Sequence, residues 1–154
     1  EGTNGIQALD LVGRKLASNG GRAVFGFFND MEEFCTANEG DPDLKLYVDG
    51  LQTVSGQLRD ATMWLMQNGM ANFDNAGASS HDYLQLFGLA AMALMWAKMA
   101  RAARDKAAAG DAWHQDKLVT ARYFYERVLP DAASHLAKVK TGAGPVMALR
   151  AEAF

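Results

Sequence analysis

The chain starts with "EGTNGIQ", a segment whose residue types could bind or react with a polar ligand. Glu1 supplies a carboxylate, and Gly2 and Gly5 flank the short polar side chains of Thr3 and Asn4. Backbone N–H groups in front of a helix can bind an anionic or polar group, and glycines let a ligand come close to the backbone. The same pattern is also typical of an ordinary helix-capping loop. From the residue types alone, the capping loop is the simpler interpretation.

The three histidines lack the spacing of a metal site. No pair among His81, His114 and His135 has the i,i+4 spacing or the carboxylate partner that zinc and di-iron sites use. His81 falls at a predicted helix start. We therefore expect surface or helix-capping roles for the histidines and predict no metal site.

The single cysteine is predicted to be a buried, unreactive thiol. Cys35 lies on a predicted helix near Glu32 and Glu33, and neighbouring negative charges raise the pKa of a thiol. One cysteine cannot form an internal disulfide, which fits a reducing compartment. The expected location is the cytoplasm.

Two further groups of side chains are assigned structural roles. The first group is a stripe on one predicted helix, Met92, Met95, Trp96 and Met99, which would be one place for a cofactor to bind. Methionine, however, commonly fills gaps between packed helices, so we predict a core position for these residues. Three aspartates lie too far apart to form a catalytic pair and are expected on a solvated face: Asp43, Asp49 and Asp60.

The elements that position these residues are predicted to be all helical, because apolar residues recur at three- and four-residue steps and no strand pattern is present. Helices are expected at about 5–18, 22–38, 42–67 and from a Ser80 cap to 108, with a loop over 68–80. A further helix starts at Asp111, and Pro130 kinks or splits it. The predicted fold is an antiparallel bundle of four to five main helices, with the helix ending near 108 at its centre.

Composition excludes several classes of partner. The net charge of −3 leaves no basic footprint for nucleic acid. The longest uncharged apolar stretch, from Leu86 to Ala97, is too short for a bilayer, which takes about 20 residues, so no membrane span is predicted. The N-terminus has no signal-peptide pattern.

Two parts of the sequence resemble one family of flavoenzymes. "EGTNGIQALDLVGRKL" resembles the signature that ends the helical flavin domain of acyl-CoA dehydrogenases, where a tyrosine precedes Glu-Gly-Thr. "DYLQLFGLAAMALMWAKMARAA" and "ARYFYERVLPDAASHLAKVKTGA" are similar to the extra C-terminal helical domain of the large members. The resemblance implies the last quarter of such an enzyme, with residues 1–20 ending the flavin domain and residues 21–154 forming the C-terminal helical domain.

The resemblance implies an FAD-dependent oxidation of acyl-CoA to trans-2-enoyl-CoA. Glu1 matches the catalytic base, which removes the α-proton while the β-hydrogen leaves as hydride to the flavin. Glu1 and Gly2 match the positions that contact the substrate. The family segment that contacts FAD matches Thr3, Asn4 and Gly5.

The resemblance also implies the partners of the intact enzyme and a lack of activity for this chain alone. An acyl-CoA dehydrogenase passes its electrons to an electron-transfer flavoprotein, and a homodimer is expected. Because this sequence holds only a small part of the family's flavin site, we expect the chain alone to bind no FAD and to have no dehydrogenase activity. The alternative is a non-enzymatic helical bundle used for subunit packing.

Overall fold

The described part of the chain folds into helices joined by turns, as its sequence predicts. A computed structural model describes residues 3–153, so the predictions for Glu1 and Gly2 lie outside the described residues. Within this range there is no β-strand, and the α-helices are α1 (Thr3–Asp10), α2 (Arg22–Asn38), α3 (Lys45–Asn68), α4 (Phe73–Ala108), α5 (Ala112–Tyr123) and α6 (Asp131–Thr141). The prediction of an all-α, bundle-like fold is confirmed.

The first break in the helices lies near residue 18, where the first helix was predicted to end. α1 continues through one π-helical turn, Leu11–Lys15, and a 3-10 turn follows at Ser18–Gly21. Asn19, Gly20 and Gly21 have φ angles of 52°, 66° and 78°. Left-handed backbone of this kind is readily adopted by glycine and tolerated by asparagine, and it ends a helix.

The break between α2 and α3 is built by a cap and a proline. The Asp41 side chain accepts the backbone N–H of Asp43 at 3.0 Å, and Pro42 begins a short 3-10 turn, Pro42–Leu44, that leads into α3. Proline suits this first position because the N–H it lacks would have had no partner inside the helix. Asp41 also forms an ion pair with Arg104 of α4, which ties this turn to the bundle.

The start of α4 differs from the prediction. The loop predicted over 68–80 is wrong beyond Asn72, whose side chain caps α4 by accepting the N–H of Asp74 at 2.9 Å. Ser80 is no cap, since it lies inside the helix. Ser79 is fully buried, and its hydroxyl donates to the Val139 carbonyl of α6 at 2.9 Å. This long-range contact helps to explain why a segment that contains Asn75, Gly77 and Ser79, whose helical preference is lower than that of alanine, is helical here.

The predicted kink at Pro130 is confirmed. α5 runs into a π-helical turn, Phe124–Val128, and the Leu129 N–H donates to the Phe124 carbonyl at 2.8 Å across five residues. α6 then begins at Asp131, directly after the proline. The wider turn lets the backbone change direction before the residue that cannot donate a hydrogen bond.

α4 is the central helix, as predicted, because it packs against α1, α3, α5 and α6. Together with α2, these helices enclose a core whose largest fully buried side chains include Phe28, Met31, Leu51, Leu58, Tyr83, Leu86 and Leu94. The predicted core position of the methionines of α4 is wrong: Met92, Met95 and Met99 are 45%, 47% and 40% exposed. They lie on the side of α4 that the other helices leave uncovered, and only Trp96 of that stripe is partly buried, stacked on Phe124.

By length and composition alone, the 36-residue α4 is apolar enough to cross a membrane. Central helices of helical bundles have the same composition, and α4 is packed on four other helices here. This observation is therefore weak support for a membrane span.

Candidate functional site

The segment predicted to contact a cofactor lies at an exposed edge of the bundle. Thr3, Asn4 and Gly5 form the first turn of α1, so the helix begins before Gly5, and the capping loop expected over Thr3 and Asn4 is wrong. All three residues are exposed, and a Cβ added at Gly5 would meet no atom within 4 Å. Their hydroxyl, amide and backbone groups are accessible to a ligand from outside the bundle.

α1 is held in place by a small part of its surface. Ala8 is fully buried, and Leu11 and Val12 of the following turn pack partly buried against the core. Ile6 and Leu9 remain 64% and 54% exposed. The outer side of α1 therefore presents apolar side chains that the described part of this chain does not cover.

An apolar groove of about 420 Å³ lies beside the turn that follows α1. Leu16 lines one side, Leu65 and Met66 of α3 another, and Phe73 of α4 closes one end. Met70 and Phe73 at its rim are 81% and 83% exposed. All of its lining side chains are uncharged, so the groove can accept apolar groups but cannot pair with a phosphate.

The described residues near this edge offer no general base. The Arg14 guanidinium, which donates to both carboxylate oxygens of Asp10 at 2.6 and 2.9 Å, lowers the pKa of that carboxyl. A carboxylate with a lowered pKa is a weak base. Among residues 3–153 no three His, Cys, Asp or Glu side chains meet in a way that could hold a metal ion. Glu1, which the resemblance matches to the catalytic base, lies outside the described residues.

The other residues singled out by type take structural positions. Cys35 is buried, as predicted, and burial together with the nearby Glu32 charge raises the pKa of its thiol. Asp49 and Asp60 are exposed, as predicted, and pair with Lys45 and with Lys140 of α6, at 2.7 and 2.9 Å. None of these groups faces the start of α1 as a reactive centre.

Two histidines have carboxylate partners, although the spacing of residues in the sequence predicted none. The Nδ1 atom of His135 lies 2.7 Å from the carboxylate of Asp82, which joins α6 to α4 across 53 positions. His114 lies in the first turn of α5 beside its cap, and the carboxylate of Asp111 accepts the backbone N–H of His114 at 3.1 Å. His81 is exposed in the third turn of α4, so its predicted place at a helix start is wrong. These contacts link or cap helices and form no shared site.

The family of the chain follows from a match that spans most of the bundle. Residues 27–150, from α2 to the tail after α6, match the sequence model of the family described as acetyl-CoA dehydrogenase C-terminal like. The chain belongs to this family. The recognition of an acyl-CoA dehydrogenase C-terminal helical region from the sequence is thereby confirmed.

One relative places this C-terminal-like bundle in the context of a longer enzyme. Over 167 aligned positions the chain is 29% identical to the broad-specificity linear acyl-CoA dehydrogenase FadE5 of Mycobacterium tuberculosis. The alignment covers 100% of this chain and 27% of that enzyme, in the C-terminal part of the enzyme. The chain therefore spans about a quarter of the length of the relative it matches.

Proposed function

We propose that this acyl-CoA dehydrogenase C-terminal-like chain is part of an FAD-dependent enzyme that oxidises acyl-CoA to trans-2-enoyl-CoA. The observation that carries the proposal is the family match over residues 27–150, directly downstream of the segment that resembles the family's catalytic signature. The name of the mycobacterial relative supports linear acyl-CoA molecules as the substrate class. Electron-transfer flavoprotein is the proposed acceptor, and a homodimer is the proposed assembly.

In this mechanism Glu1 is the catalytic base. Its carboxylate takes the α-proton of the acyl-CoA, and its backbone N–H donates to the thioester oxygen, where negative charge builds up. Gly2 leaves room for the substrate next to the backbone. FAD, when bound, supplies the hydride acceptor for the β-hydrogen.

The described residues are compatible with one edge of a flavin site. Thr3 and Asn4 offer an exposed hydroxyl and amide, and the open space around Gly5 allows a ligand to approach the first turn of α1. These residues would hold the cofactor by polar contacts only at that edge. The 154-residue chain by itself is accordingly proposed to bind no FAD and to have no activity. Flavin absorbance in the purified chain, or reduction of an artificial electron acceptor with acyl-CoA, would contradict this.

The proposed role of Glu1 is tested in the complete enzyme. We expect Glu1→Gln to lower kcat for acyl-CoA oxidation by about 10²- to 10⁴-fold, because the amide cannot take the α-proton. The matched control is Glu33→Gln, at an exposed position of α2, which should leave kcat unchanged. Normal turnover by the Glu1→Gln variant would refute the assignment. A panel of linear acyl-CoA thioesters of increasing length, assayed on the same protein, identifies the substrate.

The cytoplasm is the proposed location, since the thiol of Cys35 is free. A second candidate function, subunit packing, is favoured by the exposed methionines of α4. Both functions are compatible, because the packing surface lies on a different helix from the proposed catalytic segment.

A further inference from the structure

The π-helical turn after α1 holds one residue more than a turn of α-helix. It comprises Leu11–Lys15, and the Leu16 N–H donates to the Leu11 carbonyl at 2.8 Å, five positions back instead of four. Such turns are rare in α-helices and often lie at functional sites. Because each residue of an α-helix turns the chain by about 100°, one extra residue changes the direction in which every side chain before the turn points.

The extra residue decides which side of α1 faces the core. In an uninterrupted α-helix Leu9, seven positions before the buried Leu16, would lie within about 20° of it, and Ala8 would lie about 80° away. The structure shows the opposite, since Ala8 is fully buried whereas Leu9 is 54% exposed. With one residue absorbed by the π-helical turn, Ala8 takes the place that Leu9 would have had. α1, which packs against α4, therefore buries a small side chain and turns a leucine outward.

Two further contacts fit this register. Leu11 lies five positions before Leu16, on the far side of an uninterrupted helix, yet it packs partly buried against the core. Asp10 and Lys15 are also five positions apart, and the Lys15 Nζ atom lies 3.3 Å from the Asp10 carboxylate. Residues with this spacing point about 140° apart in an α-helix, and a π-helical turn brings them towards the same side.

α1 follows directly on the residue proposed as the catalytic base. Glu1 and Gly2 precede Thr3, the first residue of α1, so the rotation of this helix about its axis controls how the chain enters the proposed flavin site. Among the eight residues of α1, Ala8 is the one that is buried. The rotation of α1 thus depends on this contact and on the turn that follows the helix.

We infer that Ala8 and the π-helical turn at Leu11–Lys15 are positioning elements for Glu1. The extra residue puts Ala8 against the bundle, this contact sets the rotation of α1, and the rotation sets the direction in which the preceding segment presents the Glu1 carboxylate. The inference rests on the proposed function, in which Glu1 takes the α-proton. A catalytic group misplaced by about 1 Å can lose about 10²-fold in rate.

The first test measures the rotation of α1 without an enzyme assay. In the 154-residue chain, Ala8→Cys should react with a maleimide at least about tenfold more slowly than Leu9→Cys, because its thiol is buried. Cys35 is buried and adds little background. Inserting one alanine after Gly13 turns α1 by about 100°, and the order should then reverse. Deleting Gly13 removes the extra residue and should leave the order unchanged. An unchanged order after the insertion overturns the inference.

The second test measures catalysis in the complete enzyme with excess FAD. The insertion after Gly13 should lower kcat for acyl-CoA oxidation by about 10²-fold or more, with KM changed by less than about threefold. The deletion of Gly13, where a Cβ would meet no atom within 4 Å, should keep kcat within about threefold because Ala8 stays on the inner side. Equal losses in the two variants contradict the inference, as does a normal kcat after the insertion.

The third test changes the buried contact and keeps the length. Ala8→Leu should lower kcat by at least about tenfold, because the larger side chain pushes α1 away from the bundle, whereas the similarly small Ala8→Ser should keep kcat within about threefold. The matched control is Ala132→Leu on α6, where Ala132 is 1% exposed. It overpacks the core in the same way and should not change kcat. If Ala132→Leu and Ala8→Leu lower kcat equally, Ala8 has no positioning role.

The outcomes separate this inference from the proposed function. If the complete enzyme oxidises acyl-CoA and Glu1→Gln removes that activity, a normal kcat after the insertion overturns the positioning role alone. If the unmodified complete enzyme does not oxidise acyl-CoA, the proposed function and the positioning role fail together. The order of thiol labelling then still reports the rotation of α1.

Discussion

Tyr83 of α4 and Thr62 of α3 meet in the interior of the bundle, with their hydroxyl oxygens 2.8 Å apart. Both side chains are fully buried. The Thr62 hydroxyl donates its proton to the Leu58 carbonyl at 2.7 Å, so it can only accept from Tyr83. The Tyr83 phenol therefore depends on Thr62, whereas Thr62 keeps a partner without Tyr83.

This dependence predicts unequal effects of two nearly isosteric substitutions. Thr62→Val should lower the free energy of unfolding by about 1–3 kcal/mol, because it leaves the buried Tyr83 hydroxyl without a partner. Tyr83→Phe should cost only about 1 kcal/mol. The measurement is urea unfolding followed by circular dichroism. The double variant should be no less stable than Thr62→Val alone, and a strictly additive loss would mean that the two hydroxyls do not interact.

The buried tyrosines predict a loss of stability at alkaline pH. Burial raises the pKa of Tyr83 to about 12, and burial also raises the pKa of Tyr125. In the unfolded chain a tyrosine titrates near pH 10, so the unfolded state releases its proton first. The stabilisation is complete below about pH 10 and is lost as the pH rises through 12. Tyr83 alone should lower the free energy of unfolding by about 2–3 kcal/mol by pH 12.

The pH dependence can be assigned to Tyr83 by substitution. Between about pH 10 and 12 the free energy of unfolding should fall less steeply with pH for Tyr83→Phe than for the original chain. The difference in slope should correspond to the release of about one proton on unfolding. Urea titrations at a series of pH values measure this slope. Equal slopes for the two proteins would show that Tyr83 does not titrate as proposed.

Two glycines of α3 predict opposite effects of the same substitution. A Cβ at Gly50 would lie 2.6 and 2.8 Å from two ring carbons of Tyr125. That ring is anchored, because its hydroxyl donates to the Ala93 carbonyl at 2.7 Å. Gly50→Ala should therefore destabilise the bundle by about 1–3 kcal/mol. Gly56→Ala, where nothing lies within 4 Å, should stabilise it by about 0.5–1 kcal/mol, as thermal unfolding can show.

The turn after α6 depends on close contact with Asn75. Gly142 has φ of +63°, and a Cβ there would lie 2.7 Å from the Asn75 Oδ1 atom, which accepts the Ala143 N–H at 2.9 Å. Gly142→Ala should cost about 1–3 kcal/mol through backbone strain and the clash together. Gly110→Ala has positive φ but open space, and it should cost less. Equal losses in urea unfolding would mean that the contact with Asn75 has no effect.

The sequence alone predicted where most helices end, because those signals are local. The residues found at or next to the predicted ends are the glycines at 20 and 21, the Asp41 cap with Pro42, the Asp111 cap and Pro130, and each acts on the backbone of a few neighbouring residues. The resemblance to acyl-CoA dehydrogenases was likewise readable from short stretches of residues, and the family match confirmed it. The roles of Glu1, Gly2, Thr3, Asn4 and Gly5 remain predictions.

The start of α4 was predicted wrongly because two cap residues compete there. Asn72 and Ser80 are both suitable caps, and the segment between them contains Asn75, Gly77 and Ser79, which favour a helix less than alanine does. The Ser79 hydrogen bond to Val139 and the Asn75 contact with Ala143 hold that segment against α6 and the tail. These partners lie more than sixty positions away in the sequence, so no local pattern contains them.

The methionines of α4 also show which features the sequence predicts and which depend on the tertiary structure. The sequence predicted that the helix ending near residue 108 would be central, and α4 is central. It did not determine which side the other helices leave uncovered, because hydrophobicity is a property of each residue and burial depends on how many helices pack around it. Only the tertiary arrangement decided that Met92, Met95 and Met99 face outward, and that His135 meets Asp82.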